Sequence, residues 1–403
     1  MLKNQFATAR CCQCFRAHIA NLLAMRISGV TTGVAIFVLG ACALQAQTPA
    51  QAMALEQQGR LPEAAHAWRE VTERSPRDAG AFASLGVVLS KLQKYPEAAE
   101  AYRSALKLNP KLPNVALNLG LAEFKQGHFP DAASALQAAL AAAPSNRQAR
   151  TLLGLSYYGA KNFDLASHYL EPVAQADPAN AELHEALAKS CLWARRFSCA
   201  QDEFRRILEH NPDSAPAHVL LGEALDGLNR TPEAIAEFEA AVKVSPREPS
   251  AHFGLGYLYW KSQQYEKAKP EFEAELTLDP GHAQALAYLG DIAWKNNQSE
   301  DALALLKQAE KIDTKLRIVY ADLGAIYMGQ KNYKDAEAAL RRAIALDPNQ
   351  PDAHYELGRL YRAVGNRAGA VKELRTAREL QSKEQVRPGL APAQPQGNSS
   401  TDH

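Results

Sequence analysis

Residues 79–112 read AGAFASLGVVLSKLQKYPEAAEAYRSALKLNPKL, and the Leu85-Gly86 pair within them recurs every 34 residues along the chain. The further pairs are Leu119-Gly120, Leu153-Gly154, Leu221-Gly222, Leu255-Gly256, Leu289-Gly290, Leu323-Gly324 and Leu357-Gly358, with Leu187-Ala188 in the one gap. A unit of this length is too small to bury a core alone, so neighbouring units must stack. The period therefore predicts a repeat protein with an extended surface, which suits binding better than catalysis.

Other positions of the unit repeat as well, when the leucine is numbered position 7 and the glycine position 8. Position 20 is always alanine, as in Ala98, position 24 is always large, as in Tyr102, and position 32 is usually proline, as in Pro110. Apolar residues at positions 4, 7, 8 and 11 and again from 17 to 28 follow a helical period, with polar residues between them. Each unit is predicted to be two antiparallel helices, whose small residues at positions 8 and 20 let the backbones approach while position 24 fills the adjacent space.

This pattern resembles the tetratricopeptide repeat family, whose units carry Leu-Gly at positions 7 and 8, Ala at 20, an aromatic residue at 24 and Pro at 32. The resemblance spans about ten units, which begin near residues 45, 79, 113, 147, 181, 215, 249, 283, 317 and 351. It implies an all-α fold, a right-handed superhelical solenoid of helix-turn-helix units assigned to residues 47–382. The first unit is degenerate, as expected of a terminal unit with one face in water.

Residues 1–46 are interpreted as an export signal or a membrane anchor. Residues 27–44 form an uncharged apolar run after Arg26, and small residues follow it. The long basic stretch before the run is shortened to ordinary proportions if translation starts at Met25. Three outcomes stay open: lipidation of Cys42, whose preceding Leu-Gly-Ala resembles a lipobox, cleavage after Ala43 or Ala46, and an uncleaved anchor. All three place the repeats across a membrane, in the periplasm or at the envelope.

Charge gives no reason to expect a nucleic-acid partner. The formal net charge is +1, and the 45 basic residues include four in residues 1–46, so the remainder are outnumbered by the 44 acidic residues. Nucleic-acid binding and attraction to an anionic membrane surface both require a basic surface. Contact with a membrane is therefore expected only through a lipid or the signal segment.

Two cysteines lie within the repeats, Cys191 at position 11 and Cys199 at position 19 of one unit. They flank the turn between the two predicted helices, and an oxidising compartment would permit a disulfide between them. Position 19 is mostly charged in the other units, which predicts an outward side chain and argues against the bond. Both states are left open.

The resemblance implies that the first helices line a concave groove, with positions 2, 5, 9, 12 and 13 pointing into it. Aromatic side chains there are candidates for partner binding, because they offer much contact area for little lost entropy. The candidates are Phe124, Tyr158, Trp193, Phe253, Tyr257, Trp260, Trp294 and Tyr355. An alternative is that aromatic residues at position 12 only pack adjacent first helices together. The crowding of four of the candidates in two neighbouring units favours a binding site.

No enzyme motif is present: the chain lacks Gly-x-Ser-x-Gly, a phosphate loop and His-Glu-x-x-His. Histidines recur at position 4, but parallel first helices one unit apart are separated by roughly 16–20 Å, too far for two rings to share a metal. We therefore expect no cofactor, no metal and no catalytic residue. The histidines are interpreted as residues at unit boundaries with buried edges.

Residues 383–403 are rich in Pro, Gln, Gly and Ser and are predicted to form a disordered tail. The whole sequence is interpreted as an exported, non-enzymatic scaffold that holds a protein or extended peptide and assists complex assembly or secretion at a bacterial envelope. Two alternatives stay open, an accessory protein of polysaccharide export that binds glycan and a regulatory subunit of a separately encoded enzyme. The oligomeric state is not predicted.

Overall fold

The computed structural model describes residues 48–386, and this part of the chain is built from twenty helices without a strand. The helices are α1 (Pro49–Gln57), α2 (Leu61–Arg74), α3 (Ala79–Lys91), α4 (Tyr95–Leu108), α5 (Val115–Lys125), α6 (Phe129–Ala142), α7 (Arg147–Gly159), α8 (Phe163–Gln175), α9 (Ala181–Trp193), α10 (Phe197–His210), α11 (Ala215–Gly227), α12 (Thr231–Val244), α13 (Ala251–Lys261), α14 (Tyr265–Leu278), α15 (Ala283–Lys295), α16 (Ser299–Ile312), α17 (Arg317–Gly329), α18 (Tyr333–Leu346), α19 (Pro351–Ala363) and α20 (Arg367–Val386). Odd-numbered helices are the first helices of the ten units and even-numbered helices are the second. The all-α solenoid prediction is confirmed.

The repeating glycine lets the two helices of a unit pack closely. A Cβ placed on Gly256 would lie 2.9 Å from the ring of Phe272 at position 24 and 3.3 Å from the carbonyl oxygen of Ala268 at position 20. The glycines of seven further units face the position-24 side chain in the same way: Gly86, Gly120, Gly154, Gly222, Gly290, Gly324 and Gly358. Positions 8, 20 and 24 therefore meet as the sequence predicts, and their close contact sets the distance between the paired helices.

Every first helix ends in a left-handed residue at position 15. The residue is glycine in three units, at Gly59, Gly127 and Gly365, and a residue with a side chain in the other seven: Gln93, Lys161, Arg195, Asn229, Gln263, Asn297 and Lys331. In unit two the next N–H, that of Lys94, donates to the carbonyl oxygen of Leu89 at 2.9 Å, which closes the last turn. This conformation reverses the chain within three residues and starts the second helix.

The units stack mainly through their first helices. From α3 to α19, each first helix contacts the first helix of the next unit as well as its own partner, whereas successive second helices make no comparable contact in the described part of the chain. First helices therefore lie closer together than second helices do. The side on which they meet, which we call the first-helix side, is the inner side of the stack.

The described range begins after the predicted leader and ends within the predicted tail. The predicted leader, with Met25 and Cys42, lies outside residues 48–386, as does most of the predicted tail. Helix α20 continues to Val386, four residues beyond the predicted boundary at 382. Residues 383–386 read Lys-Glu-Gln-Val, which permits helix up to the residue before Arg387-Pro388.

None of the helices described here is both long enough and apolar enough to cross a membrane.

Candidate functional site

Five aromatic side chains meet between the seventh and eighth units, and we call them the aromatic cluster. Phe253, Tyr257 and Trp260 lie on α13, Phe272 lies on α14 and Tyr288 lies on α15. Tyr288 is at the centre, because its ring centroid is 4.7 Å from that of Trp260, 5.5 Å from that of Phe272 and 5.7 Å from that of Tyr257. The centroid of Phe253 lies 6.1 Å away.

Helical spacing explains why these rings converge. Phe253, Tyr257 and Trp260 are positions 5, 9 and 12 of their unit, and residues three or four apart share one helix face. Tyr288 is position 6 of the next first helix and packs into that face. It is 8% exposed, whereas the three rings of α13 are only partly buried. The cluster thus has a buried centre and an accessible edge on the first-helix side.

The indole of Trp260 is held in one orientation. Its Nε1 donates to Oδ2 of Asp291 at 2.5 Å, and Asp291, which is only 3% exposed, is also bonded to Lys295. The Lys295 ammonium lies 5.3 Å from the centre of the Trp260 ring, within the range of a cation–π contact. A partner that docks on this ring loses little entropy in ordering it.

Carboxylates lie near the cluster, and one of them, Asp322, makes no ion pair in the described residues. Asp226 on α11 is 4% exposed and bonds Lys261 Nζ at 2.6 Å. In contrast, Oδ2 of Asp322 on α17 is buried without a hydrogen-bond partner in the described residues. Glu223, three residues before Asp226 on α11, makes no ion pair within the same part of the chain. This part of the first-helix side is therefore acidic and incompletely paired.

Burial shifts the protonation of these carboxyls. It raises the pKa of Glu223 to about 7. It also holds the pKa of the Asp322 carboxyl well above its usual range, with the negative charge of Asp291 as the next cause and Lys295 opposing. Both groups gain free energy if a cation or a hydrogen-bond donor arrives, because each then receives the partner that the protein does not supply.

The two tyrosines of the cluster stay neutral phenols. Burial, followed by the charge of Asp226, raises the pKa of Tyr257 to about 12. Burial also raises the pKa of Tyr288, and the neighbouring Tyr257 and Asp291 add to this effect. Their hydroxyl groups can therefore donate and accept hydrogen bonds at any physiological pH.

The structure distributes the eight predicted binding residues over several places. Phe253, Tyr257 and Trp260 come together in the aromatic cluster. Trp294 has no ring contact with them and packs towards α17, where its Cη2 lies 3.8 Å from the Cβ position of Gly329. Tyr355 on α19 is 52% exposed and has no ring contact in the described residues.

The remaining predicted residues lie near the other end of the repeats. Phe124 packs edge-on against Phe129, with ring centroids 5.7 Å apart. Tyr158 and Trp193 lie 5.9 Å apart and share contact with Phe163, whose ring is 4.8 Å from that of Trp193. Trp193 remains 46% exposed. The first contact lies within unit three, and the second joins units four and five and leaves one indole face exposed.

Sequence reasoning missed Tyr288 at position 6, Asp291 and Glu223 at position 9, and Asp322 at position 6. A signal was present in the sequence: position 9 is acidic or aromatic in units six to eight, and position 6 is acidic or aromatic in units eight to ten, whereas unit four carries Leu152 and Leu155 at these positions. Neither position 6 nor position 9 indicates the site when it is taken alone.

The histidines at position 4 form a repeated contact with their own unit. Nδ1 of each lies 2.5–2.6 Å from a glutamate oxygen at position 23 of the same unit: His184 with Glu203, His218 with Glu237, His252 with Glu271 and His354 with Glu373. In three of them Nε2 also donates to the carbonyl oxygen of the proline six residues earlier, at 3.0–3.2 Å. These rings tie a first helix to its second helix and to the preceding unit.

One group of potential metal ligands occurs in the described residues, at Glu123, His128 and Asp131, whose ligand atoms lie within 4.8 Å of one another. Glu123 is 1% exposed, and its two oxygens already bond Arg103 and His128 Nδ1. The buried carboxylate is thus neutralised by side chains of the protein. This arrangement is a structural ion pair between two units.

Cys191 and Cys199 are joined, with an S–S distance of 2.02 Å and a Cα–Cα distance of 5.8 Å. Cys191 is fully buried and Cys199 is partly buried. The side chain at position 19 of this unit thus turns inwards, unlike the charged residues at that position elsewhere. The bond links α9 to α10 across their turn.

Family models described as tetratricopeptide repeat match most of the chain. One matches residues 37–113, 117–181, 221–281 and 253–315, and a second matches residues 157–223 and 327–391. A search of curated proteins found no match.

Among solved structures, the chain is similar to YrrB, described as a TPR protein with an unusual peptide-binding site, at 23% identity over 45% of this chain and 94% of that chain, with a TM-score of 0.36. It is similar to the APC/C hetero-tetramer Cut9–Hcn1 at 15% identity over 82% and 80% of the two chains, with a TM-score of 0.49. It is similar to PilF of Pseudomonas aeruginosa at 20% identity over 51% and 94%, with a TM-score of 0.45. These likenesses concern the fold alone.

Proposed function

The chain belongs to the tetratricopeptide repeat family, and from this premise we propose that it is a non-enzymatic scaffold that binds a protein or an extended peptide on its first-helix side. The observation that carries the proposal is the aromatic cluster, whose accessible rings lie near Asp322, a carboxyl with a buried oxygen that has no hydrogen-bond partner in the described residues. Such a surface offers apolar contact area and specific polar contacts together.

The chemistry of the surface selects among partners. The Trp260 indole is oriented before binding, by Asp291 and Lys295, and its ring edge is accessible. Asp322 favours a basic or an amide group on the partner, because both kinds of group can donate a hydrogen bond to its unpaired oxygen. The partner segment is therefore one with an apolar or aromatic residue next to a lysine, arginine or amide side chain.

We place this scaffold at a bacterial cell envelope, where it assists complex assembly or secretion. The support is the apolar run of residues 27–44 and Cys42 in the sequence, which precede the described repeats. The bond between Cys191 and Cys199 is compatible with such a location, since disulfides persist in oxidising compartments.

The test is crosslinking and affinity capture from the native membrane fraction with the full chain. Trp260→Ala removes the oriented indole, and we expect it to lower recovery of the specific partner at least tenfold, since an interface tryptophan commonly contributes 2 kcal/mol or more (~30-fold). Tyr355→Ala is the matched control, because this ring is exposed and lies outside the cluster. Recovery by Trp260→Ala that equals recovery by the wild-type chain would show that the cluster is only scaffold.

Binding of glycan is a second candidate, favoured by the exposed indole of Trp193. Its ring is 46% exposed and backed by Phe163 and Tyr158, so one face is open for stacking. Oligosaccharides of the envelope should then quench tryptophan fluorescence of the native chain, and Trp193→Ala should abolish that quenching. Quenching that persists in Trp193→Ala excludes this face.

A further inference from the structure

A cavity of about 390 Å³ lies at the junction of the fifth and sixth units. Its lining comes from α9, α10 and α11, with Glu185 and Lys189 on one first helix and Pro216 and Leu220 on the next. It therefore opens between the first helices of units five and six, whereas the aromatic cluster lies between units seven and eight. Phe204, Ile207 and Ala217 give it an apolar wall.

His184 contributes an unsatisfied polar atom to this cavity. The side chain is only 3% exposed, and its Nδ1 lies 2.5 Å from Glu203 Oε2. Its Nε2 is buried without a hydrogen-bond partner in the described residues. A buried polar atom left in this state costs free energy, so a ligand that satisfies it gains affinity.

The sister units show which chemical group fits this nitrogen. In His218, His252 and His354 the same Nε2 donates to a backbone carbonyl oxygen, that of the proline at position 32 of the preceding unit. For His184 the corresponding residue is Pro178, which lines the cavity but makes no bond to the ring. The partner that is missing is therefore a peptide carbonyl.

The end of α8 differs from the ends of the other second helices. In eight other units the residue that follows the second helix donates its N–H to the carbonyl oxygen four residues back, as Asn211 does to Ile207. In unit four the equivalent Asp177 N–H bonds Ala174, three residues back, and the cap residue Ala176 stays helical. Pro172 lies inside this last stretch of α8 and removes a backbone donor there.

We propose that this cavity is a subsite for an extended peptide, which places a backbone carbonyl oxygen on His184 Nε2 and an aliphatic side chain against Phe204, Ile207 and Leu220. The inference rests on the proposed peptide-binding function and adds a second contact point to it. Arg206, which also lines the cavity, has no ion-pair partner in the described residues and is available to a second carbonyl oxygen.

The experiment titrates N-acetyl-leucine methylamide into the full chain carrying ¹⁵N-labelled histidine. We expect a saturable shift of the His184 ring signals, with a dissociation constant on the order of 1 mM for a ligand of this size, and no shift for His218. N-acetylglycine methylamide should bind at least fivefold more weakly, since it cannot fill the apolar wall. Ile207→Trp, which fills the cavity, should abolish the shift.

The wild-type titration decides the proposal even if Ile207→Trp fails to fold. No shift of His184, or an equal shift with both amides, overturns it. A shift produced by acetate alone also overturns it, because the site would then be selective for an anion.

Trp260→Ala should leave amide binding unchanged. If the amide fails to bind while partner capture still depends on Trp260, this inference is wrong and the proposed function stands. If the amide binds at His184 while partner capture does not depend on Trp260, the proposed function is wrong and the subsite stands.

Discussion

The carboxyl of Glu223 should make the stability of the sixth unit depend on pH. Burial raises its pKa from 4.5 to about 7, so the folded chain keeps this group protonated where the unfolded chain has already lost the proton. The resulting stability is fully present below the unfolded pKa near 4.5 and is lost as the pH rises through the folded pKa near 7. Each unit of pKa shift corresponds to about 1.4 kcal/mol, so the ionised group costs about 3 kcal/mol at pH 8.

Glu223→Gln removes the ionisation and keeps the shape of the side chain. The variant should therefore be more stable than the wild type at pH 8, by up to about 3 kcal/mol, and nearly equal to it at pH 4.5. Solenoids open in parts, so the suitable measurement is native-state hydrogen exchange of the α11 amides at both pH values. Glu182→Gln is the control, because this glutamate is exposed on α9.

A gain in stability of the same size at both pH values would refute the reasoning, since it would come from the shape or hydrogen bonding of glutamine. A loss at pH 8 would refute it as well, because it would mean that the carboxylate makes a favourable contact in the folded chain. If Glu182→Gln raised the stability at pH 8 as much as Glu223→Gln does, the effect would come from the change in net charge.

Three further outcomes test the packing of the units. Lys331→Gly should raise stability by about 0.5–1 kcal/mol and Gly127→Ala should lower it by at least as much, since both residues are left-handed; thermal unfolding measures both. Gly256→Ala should destabilise by about 1–3 kcal/mol in urea titrations, because its Cβ would lie 2.9 Å from a packed ring, and an unchanged midpoint would contradict this. Thiol titration of the unfolded, unreduced chain should find Cys191 and Cys199 oxidised, and two free thiols there would exclude the bond.

The fold could be predicted from the sequence because the residues that set the packing of each helix pair recur from unit to unit. In eight units a Cβ at position 8 would clash with the side chain at position 24. The same residue types therefore recur at these positions, and the sequence shows their 34-residue period. The left-handed turn at position 15 was not visible. Seven of its ten residues carry a side chain, and their strain of about 1 kcal/mol is too small to demand glycine.

The candidate site could be predicted only in part, because its contacts join one repeat position in one unit to a different repeat position in the next unit. Trp260 and Trp294 occupy the same position 12, yet only Trp260 joins the cluster. Position 6 of the following unit accounts for the difference: it is Tyr288 beyond Trp260 and Asp322 beyond Trp294. The residues found at position 12 alone therefore do not indicate which side chain the next unit places beside them.

Function in this chain should therefore be sought where one unit departs from its sisters. The histidines at position 4 are equivalent in sequence, but a proline in the preceding α8 shifts the end of that helix and leaves His184 without the carbonyl that the others bond. Likewise, most buried carboxylates of the repeats bond a cation, as Glu123 and Asp226 do, whereas Asp322 has a buried oxygen without a partner. A stack held together by recurring contacts gains nothing from such exceptions, and each costs free energy on its own. Both exceptions are accounted for if a bound segment supplies the missing group.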